Sequence, residues 1–178
     1  MGDNVIKLVV IGDIGVGKTS IIRRYVESDY SPEYRISVQL DFKQKQVSLG
    51  ETKLNLQLWD VPGNERFGGM TSVYYKYSRG ALVTFDLARR ETFLSGAAWL
   101  SDYINAMELG DEPVKPVVLV GNKSDVENIN IASREYSSWV EDNNILGFFE
   151  VSARNDSNVD LAINSLLHHI LTSSEEAS

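Results

Sequence analysis

The chain has 178 residues, of which 43% are hydrophobic and 24% are charged, and its formal net charge is −8. This profile predicts one globular domain with a sizeable core, and the acidity argues against a broad nucleic-acid surface or a polybasic membrane patch. The sequence contains no cysteine, which excludes disulfides and cysteine-based catalysis within it, and no apolar run approaches the roughly 18 residues of a membrane-spanning helix. We expect the domain to cover residues 1–172 and the small, polar and acidic residues 173–178 to be flexible.

Short β-branched apolar runs alternate with amphipathic stretches along the chain. The runs predict strands at 5–11, 42–49, 53–60, 81–86, 117–121 and 148–151. The amphipathic stretches predict helices at 19–27, 68–77, 91–107, 132–143 and 159–171. This alternation predicts an α/β fold, a six-stranded and mostly parallel sheet with helices on both faces. A tight turn at Gly50 predicts that the second and third strands form an antiparallel hairpin at one edge.

A glycine-rich loop follows the first predicted strand and leads into the first helix. This segment, the phosphate loop, fits G-x-x-x-x-G-K-[ST] and consists of Gly12, Asp13, Ile14, Gly15, Val16, Gly17, Lys18 and Thr19, with Ser20 next. In that context, backbone N–H groups wrap nucleotide phosphates at the positive end of a helix. Lys18 would contact the β- and γ-phosphates, and the Thr19 hydroxyl would bind Mg²⁺. The alternative is a plain glycine-rich turn, but the flanking strand and helix argue against it.

Residues 30–41 lie between the first helix and the second strand and show no clear periodicity. We call them the first switch segment, because one of their contacts would depend on the γ-phosphate. Three of its side chains are candidates for nucleotide contact. Ser37 would complete the Mg²⁺ shell only when the γ-phosphate is present, Tyr30 would pack against the base, and Tyr34 would cover the phosphates.

The third strand ends in Asp60, and Val61, Pro62 and Gly63 follow. Asp60 would hold Mg²⁺ through water, and the backbone N–H of Gly63 would reach the γ-phosphate. Because loss of that phosphate would release the segment, these residues predict an order–disorder switch.

Asn122, Lys123, Ser124 and Asp125 directly follow the fifth strand, at the edge where open α/β sheets bind ligands. The Asp125 carboxylate would accept hydrogen bonds from guanine N1–H and the 2-amino group, a donor pair that adenine lacks. Asn122 would tie its loop to the phosphate loop, and the Lys123 stem would cover the base plane. A polar turn is the alternative. After the last strand, a backbone N–H within Ser152, Ala153 and Arg154 would meet guanine O6.

Together these motifs resemble the Ras superfamily of small GTPases, and specifically the Rab family, over residues 5–171. Further matches are Leu40-Asp41-Phe42, Leu56-Gln57-Leu58-Trp59-Asp60, Glu65-Arg66-Phe67 and Tyr74-Tyr75. Within the Rabs, the likeness is to the branch serving melanosomes and other lysosome-related organelles. The resemblance implies a three-layer small-GTPase fold, bound GTP or GDP with Mg²⁺, and GTP hydrolysis that uses Lys18, Gly63 and Asn64.

The resemblance also implies partners and a location. Phe42, Trp59 and Tyr74 match the aromatic trio on which Rab effectors dock, and an exchange factor and a GTPase-activating protein are expected. A Rab would be a cytoplasmic monomer, peripheral on the cytosolic face of endomembranes. Rabs carry prenylated C-terminal cysteines, which this sequence lacks. Either a tail past Ser178 is missing, which we favour, or a partner brings the protein to membranes.

Several positions depart from the Rab pattern. Ser37 stands for a Thr, Gln39 for a Gly, and Pro62-Gly63-Asn64 for Ala-Gly-Gln. The family's Gln orients the attacking water, and the amide of Asn64 is one methylene shorter. Ile14 places a bulky side chain where a partner's arginine or glutamine finger needs room. We therefore expect weak intrinsic hydrolysis and a bias toward the GTP state. A scaffold that holds GTP without turnover is the second interpretation, and an ATP-dependent kinase is the third.

Overall fold

The computed structural model describes residues 5–31, 41–64, 71–129 and 131–176. Its strands are β1 (Val5–Ile11), β2 (Asp41–Leu49), β3 (Thr52–Asp60), β4 (Gly80–Asp86), β5 (Lys115–Asn122) and β6 (Ile145–Glu150). Its helices are α1 (Lys18–Glu27), α2 (Thr71–Tyr75), α3 (Arg90–Met107), α4 (Ser133–Asn143) and α5 (Val159–Glu176).

The strands form one sheet in the order β2-β3-β1-β4-β5-β6. β1 pairs in parallel with β3 and β4, β4 with β5, and β5 with β6. β2 and β3 are antiparallel, and Gly50 in the turn between them has φ 59°, a conformation that favours glycine. The predicted α/β fold, with its mostly parallel sheet and edge hairpin, is therefore confirmed.

Apolar side chains on the two faces of the sheet form two cores. One packs the α1 residue Ile21 and the α5 residues Ile163 and Leu166 against the strands, and the other includes Trp99 and Tyr103 of α3. Since each helix buries one stripe on a sheet that is apolar on both faces, the three layers follow from the alternating pattern. Trp99 is fully buried and Trp139 packs at the edge of the second core, as expected for core aromatics.

Most element bounds differ from those predicted by a residue or two, and the differences in α2, β6 and α5 have a structural cause. α2 ends at Tyr75 rather than residue 77, because Tyr77 adopts φ 65° and cannot continue a helix, and residues 68–70 lie outside the described residues. β6 begins at Ile145 instead of Phe148. The left-handed Asn144, with φ 51°, ends α4 there and lets a strand start at once.

The last helix, α5, continues to Glu176 instead of ending at Leu171. The Ser174 hydroxyl donates to the Ile170 carbonyl at 2.7 Å and accepts a hydrogen bond from the Arg79 guanidinium at 2.7 Å. These contacts hold the last turns against the sheet. Residues 177 and 178 lie outside the described residues.

Candidate nucleotide site

The predicted functional loops meet at one edge of the sheet. β1, β3, β4 and β5 run parallel, so the loops after their carboxyl ends lie side by side. The phosphate loop follows β1, and Asp60 and Asn122 are the last residues of β3 and β5. In open α/β sheets this edge is where ligands bind.

The backbone of the phosphate loop requires glycine at two positions where it touches its neighbours. Gly12 and Gly17 have φ 143° and 98°. A Cβ on Gly12 would lie 2.1 Å from the Thr84 carbonyl oxygen, and one on Gly17 would lie 2.2 Å from Nδ2 of Asn122. The loop therefore packs directly onto β4 and onto the side chain at the end of β5.

Lys18, the first residue of α1, lies almost fully buried inside the phosphate loop. Its ammonium donates to the carbonyl oxygens of Gly12 at 2.9 Å and Asp13 at 3.0 Å. Burial lowers the pKa of Lys18 to about 8, and the charges of Asp60 and Asp13 oppose that shift. A buried cation held by carbonyls and desolvated in this way is a strong attractor for phosphate oxygens.

The Thr19 hydroxyl donates to the carboxylate of Asp60. α1 begins beside the end of β3, and Asp60 is buried there. A hydroxyl and a carboxylate are hard oxygen donors that suit Mg²⁺, which keeps water and phosphate oxygens as its other ligands. The predicted pair thus fits the metal. Over the described ranges, His, Cys, Asp and Glu form no separate metal-binding cluster.

Asn122 joins three loops through one buried amide. Its Nδ2 donates to the Val16 carbonyl at 2.9 Å, and its Oδ1 accepts from the Ala153 backbone N–H at 3.3 Å. Its side chain therefore ties its own loop to the phosphate loop, which is the predicted contact, and also reaches the loop after β6, which was not predicted. Both amide ends are used, so the side chain has one orientation.

Lys123 lies across the phosphate loop and reaches a carboxylate that the sequence analysis missed. Its ammonium donates to the Gly15 carbonyl at 2.9 Å and to Asp86 at 2.7 Å. Burial acts to raise the pKa of Asp86, but hydrogen bonds from Lys123, the Ala88 N–H and Arg89 outweigh it and hold that pKa below its usual value. Asp86 is the last residue of β4, and this position at the ligand-binding edge could have identified it as a site residue from the sequence.

The predicted base-reading residues lie together. The Ser152 hydroxyl donates to Asp125 at 2.6 Å, and the Arg154 guanidinium lies 3.8 Å from the other oxygen of that carboxylate. Arg24 of α1 donates to the Ala153 carbonyl at 2.8 Å and the Arg154 carbonyl at 3.0 Å. These two bonds join the loop after β6 to the first helix. No sequence pattern indicates that role of Arg24.

Two side chains at the start of α3 and within it hold the phosphate loop from the side. Trp99 donates from Nε1 to the Asp13 carboxylate at 2.8 Å, a contact that no sequence pattern indicates. Arg89 donates to the Ile14 carbonyl at 3.1 Å and to Asp86. The two contacts with the phosphate loop each span more than seventy residues of sequence, so no local pattern indicates them.

The second switch, the segment after β3 that contains Pro62, Gly63 and Asn64, begins in close contact with the phosphate loop. Val61 and Pro62 are buried, and the Val61 N–H donates to the Val10 carbonyl at 3.2 Å. A Cβ on Gly63 would lie 2.5 Å from the Ile14 backbone nitrogen. Asn64 is exposed beside it. The predicted catalytic residues Lys18, Gly63 and Asn64 therefore belong to loops that border the same space.

The predicted effector residues lie at and beside the hairpin. The rings of Phe42 and Trp59 stack with centroids 4.9 Å apart, and Phe42 is 44% exposed. Tyr74 lies in α2 and lines a surface groove together with Trp59. Tyr34 and Ser37 lie outside the described residues, as do Glu65, Arg66 and Phe67. Tyr30 is partly buried beneath Arg24, and its predicted contact with the base stays a prediction.

This arrangement of loops at the carboxyl edge of a parallel sheet is that of the P-loop nucleotide-binding proteins. Comparison with protein families matches residues 7–172 to the Ras family. The chain is 40% identical over 166 residues to Ras-related protein Rab-32B and 41% identical over 169 residues to Rab-32A, both from Dictyostelium discoideum. It is 39% identical over 171 residues to human Rab-32.

These alignments cover 93% to 95% of this chain. They cover 64% of Rab-32B, 77% of Rab-32A and 76% of human Rab-32. The chain belongs to the Ras family and is a Rab-like small GTPase, a class of GTP-hydrolysing switches in membrane trafficking. The Rab-32 relatives agree with the lysosome-related branch. Across the parts of the chain that the structure describes, no helix has the length and apolarity to span a bilayer.

Proposed function

We propose that Lys18, Thr19, Asp60 and Asp125 are the main contacts to Mg²⁺ and GTP in this chain. The observation that carries this is the Asn122 amide, which bonds the phosphate loop at 2.9 Å and the base-reading loop, residues Ser152, Ala153 and Arg154 after β6, at 3.3 Å. Because Ser152 already orients the Asp125 carboxylate, base recognition needs little rearrangement. Lys18 would hold the β- and γ-phosphates, and Thr19 and Asp60 would hold Mg²⁺, with Ser37 as the predicted further ligand. Bound there, Mg²⁺ would offset the negative charge of the phosphates.

We further propose that intrinsic GTP hydrolysis is slow and that the protein favours its GTP-bound state. Gly63 already touches the phosphate loop at Ile14, so the second switch has little room to move closer. The Asn64 amide must then reach the attacking water from a side chain one methylene shorter than glutamine. A displacement near 1 Å costs about a hundredfold in rate. Ile14, with a 44% exposed side chain, narrows the approach for an activating protein's finger residue.

Single-turnover hydrolysis of preloaded GTP tests this proposal. Asn64→Gln restores the missing methylene, and we expect its rate to exceed that of the native chain by about ten- to a hundredfold. Asn128→Gln is the matched control, because it lengthens an exposed asparagine outside the site. A native rate that Asn64→Gln does not raise would refute the role given to the shortened amide.

Nucleotide competition tests base recognition. GTP should displace a bound fluorescent GDP analogue far better than ATP, since adenine lacks the donors that Asp125 would accept. Asp125→Ala should remove the preference, whereas Asp111→Ala, which removes an exposed carboxylate elsewhere, should keep it. Equal displacement by ATP and GTP would contradict the guanine assignment and favour the kinase alternative.

We infer that effectors dock on Phe42, Trp59 and Tyr74 when GTP is bound. An exchange factor and an activating protein would set the nucleotide state, and the monomer would act peripherally on the cytosolic face of endomembranes. Effector binding to the forms bound to GDP and to a non-hydrolysable GTP analogue separates a switch from a scaffold. A switch binds its effector only when the GTP analogue is bound, whereas a scaffold binds it in both nucleotide forms.

A further inference from the structure

A surface groove of about 510 Å³ lies between the start of β1, the end of β3 and α2. We call it the Lys7 groove, and its lining includes Val5, Lys7, Trp59, Val73, Lys76 and Tyr77. Val73 and Tyr77 are 63% and 78% exposed, which is unusual for apolar side chains placed side by side. The groove extends the surface assigned above to effectors.

Lys7 places a positive charge beside the apolar side chains of the groove. Its ammonium lies 3.9 Å from the centroid of the Trp59 ring and donates to the Lys76 carbonyl at 2.9 Å. An ammonium has three N–H donors, and the contacts with described residues use one of them as a hydrogen bond. Partial burial lowers the pKa of Lys7, because the ammonium has lost part of its hydration. A carboxylate partner would compensate for that loss.

The charge of the groove is opposite to that of the whole molecule. The chain carries a net charge of −8, yet the described residues that line the groove include two lysines and no acidic side chain. A partner that buries this surface therefore gains from bringing negative charge to it.

The backbone around the groove excludes an added strand on β3. Residues 55–60 of β3 are paired with β1 on one side and β2 on the other. An extended peptide would therefore find no unpaired backbone N–H and C=O groups on this part of β3. A partner must instead bind the groove through its side chains. An amphipathic helix presents side chains to a groove at i, i+3 and i+4 spacing.

We propose that the Lys7 groove receives an amphipathic partner helix whose apolar face carries one Asp or Glu that pairs with the Lys7 ammonium. Leu or aromatic side chains one helical turn away on either side of that carboxylate contact Val73 and Tyr77. This rests on the proposed function only in identifying the groove as part of the effector surface.

The test is selection of binders from a display library of helical peptides, against the full chain loaded with Mg²⁺ and a non-hydrolysable GTP analogue. Clones whose binding is lost in Tyr77→Ala should carry an acidic residue flanked by apolar ones. Lys7→Met should weaken those clones about tenfold or more, as should changing their acid to its amide, and the two changes together should cost little more than either alone. Lys7→Arg should retain binding.

Lys53→Met is the matched control, since it removes a positive charge from an exposed site of β3. Binders that lack an acid, that are insensitive to Lys7→Met, or that bind in extended form would overturn the proposal, as would a failure to select any clone that depends on Tyr77. Nucleotide loading is measured separately with a fluorescent GTP analogue. A loss there would count against the proposed function, whereas the groove is tested by its own variants.

Discussion

The hydrogen bond between Trp99 and Asp13 gives a quantitative prediction about how α3 supports the phosphate loop. The indole donates at 2.8 Å from a fully buried ring, and its acceptor is a carboxylate. Hydrogen bonds to charged groups contribute about 1.5–3 kcal/mol. Trp99→Phe removes the donor but keeps an aromatic ring, and Asp13→Ala removes the acceptor. A double-mutant cycle should therefore give a coupling energy of at least about 1.5 kcal/mol.

The assay is urea unfolding at one fixed excess of GDP and Mg²⁺, because bound ligand adds to the free energy of unfolding. Release of a fluorescent GDP analogue is the second measurement, and both single variants should release it faster. The matched control is Trp139→Phe in the same cycle with Asp13→Ala. Trp139 packs against Phe93 and lies in α4, so its coupling to Asp13 should be near zero. A Trp99–Asp13 coupling below about 0.5 kcal/mol would refute the reasoning.

Three further predictions concern the same site. Asn122→Ala leaves two buried backbone groups without partners, which should cost about 2 kcal/mol or more and speed GDP release about thirtyfold or more, whereas Asn143→Ala in α4 should leave release unchanged. Gly63→Ala places a methyl 2.5 Å from the Ile14 nitrogen, so single-turnover hydrolysis should fall on the order of a hundredfold, and an unchanged rate would contradict the close packing. In nucleotide-free protein, burial of charged Lys18 should destabilise the fold at neutral pH, and the free energy of unfolding should rise by up to about 3 kcal/mol as pH increases from about 8 to 10.5. That rise, measured as the difference between the native chain and Lys18→Met, should disappear when saturating GDP is present.

The sequence predicted those parts of the site that stand at the carboxyl ends of predicted strands. The phosphate loop follows β1, and Asp60 and Asn122 end β3 and β5, so the order of elements was enough to bring them to one edge. Trp99, Arg89 and Arg24 were not predicted in their roles, because their partners are distant in sequence and an indole or guanidinium in a helix has many possible acceptors. Such contacts depend on how α1 and α3 pack on the sheet.

Errors at element ends have a local cause. Tyr77 and Asn144 adopt left-handed conformations that propensity alone does not indicate for a tyrosine and only weakly indicates for an asparagine. Helix α5 was predicted to end at Leu171, where a run of small polar residues follows. It continues because Ser174 finds partners on its own helix and on Arg79.

One guanidinium connects the base-reading loop with the segment that leads toward the first switch. Arg24 donates to the Ser28 carbonyl at 3.2 Å, just past the end of α1, and to the carbonyls of Ala153 and Arg154. Ser28 and the loop after β6 thus share one planar group, so displacement of either is expected to move the other. A substitution that displaces the Ala153 backbone is therefore expected to shift Ser28 at the end of α1 as well, so the loop that reads the base and the end of the first helix are mechanically coupled.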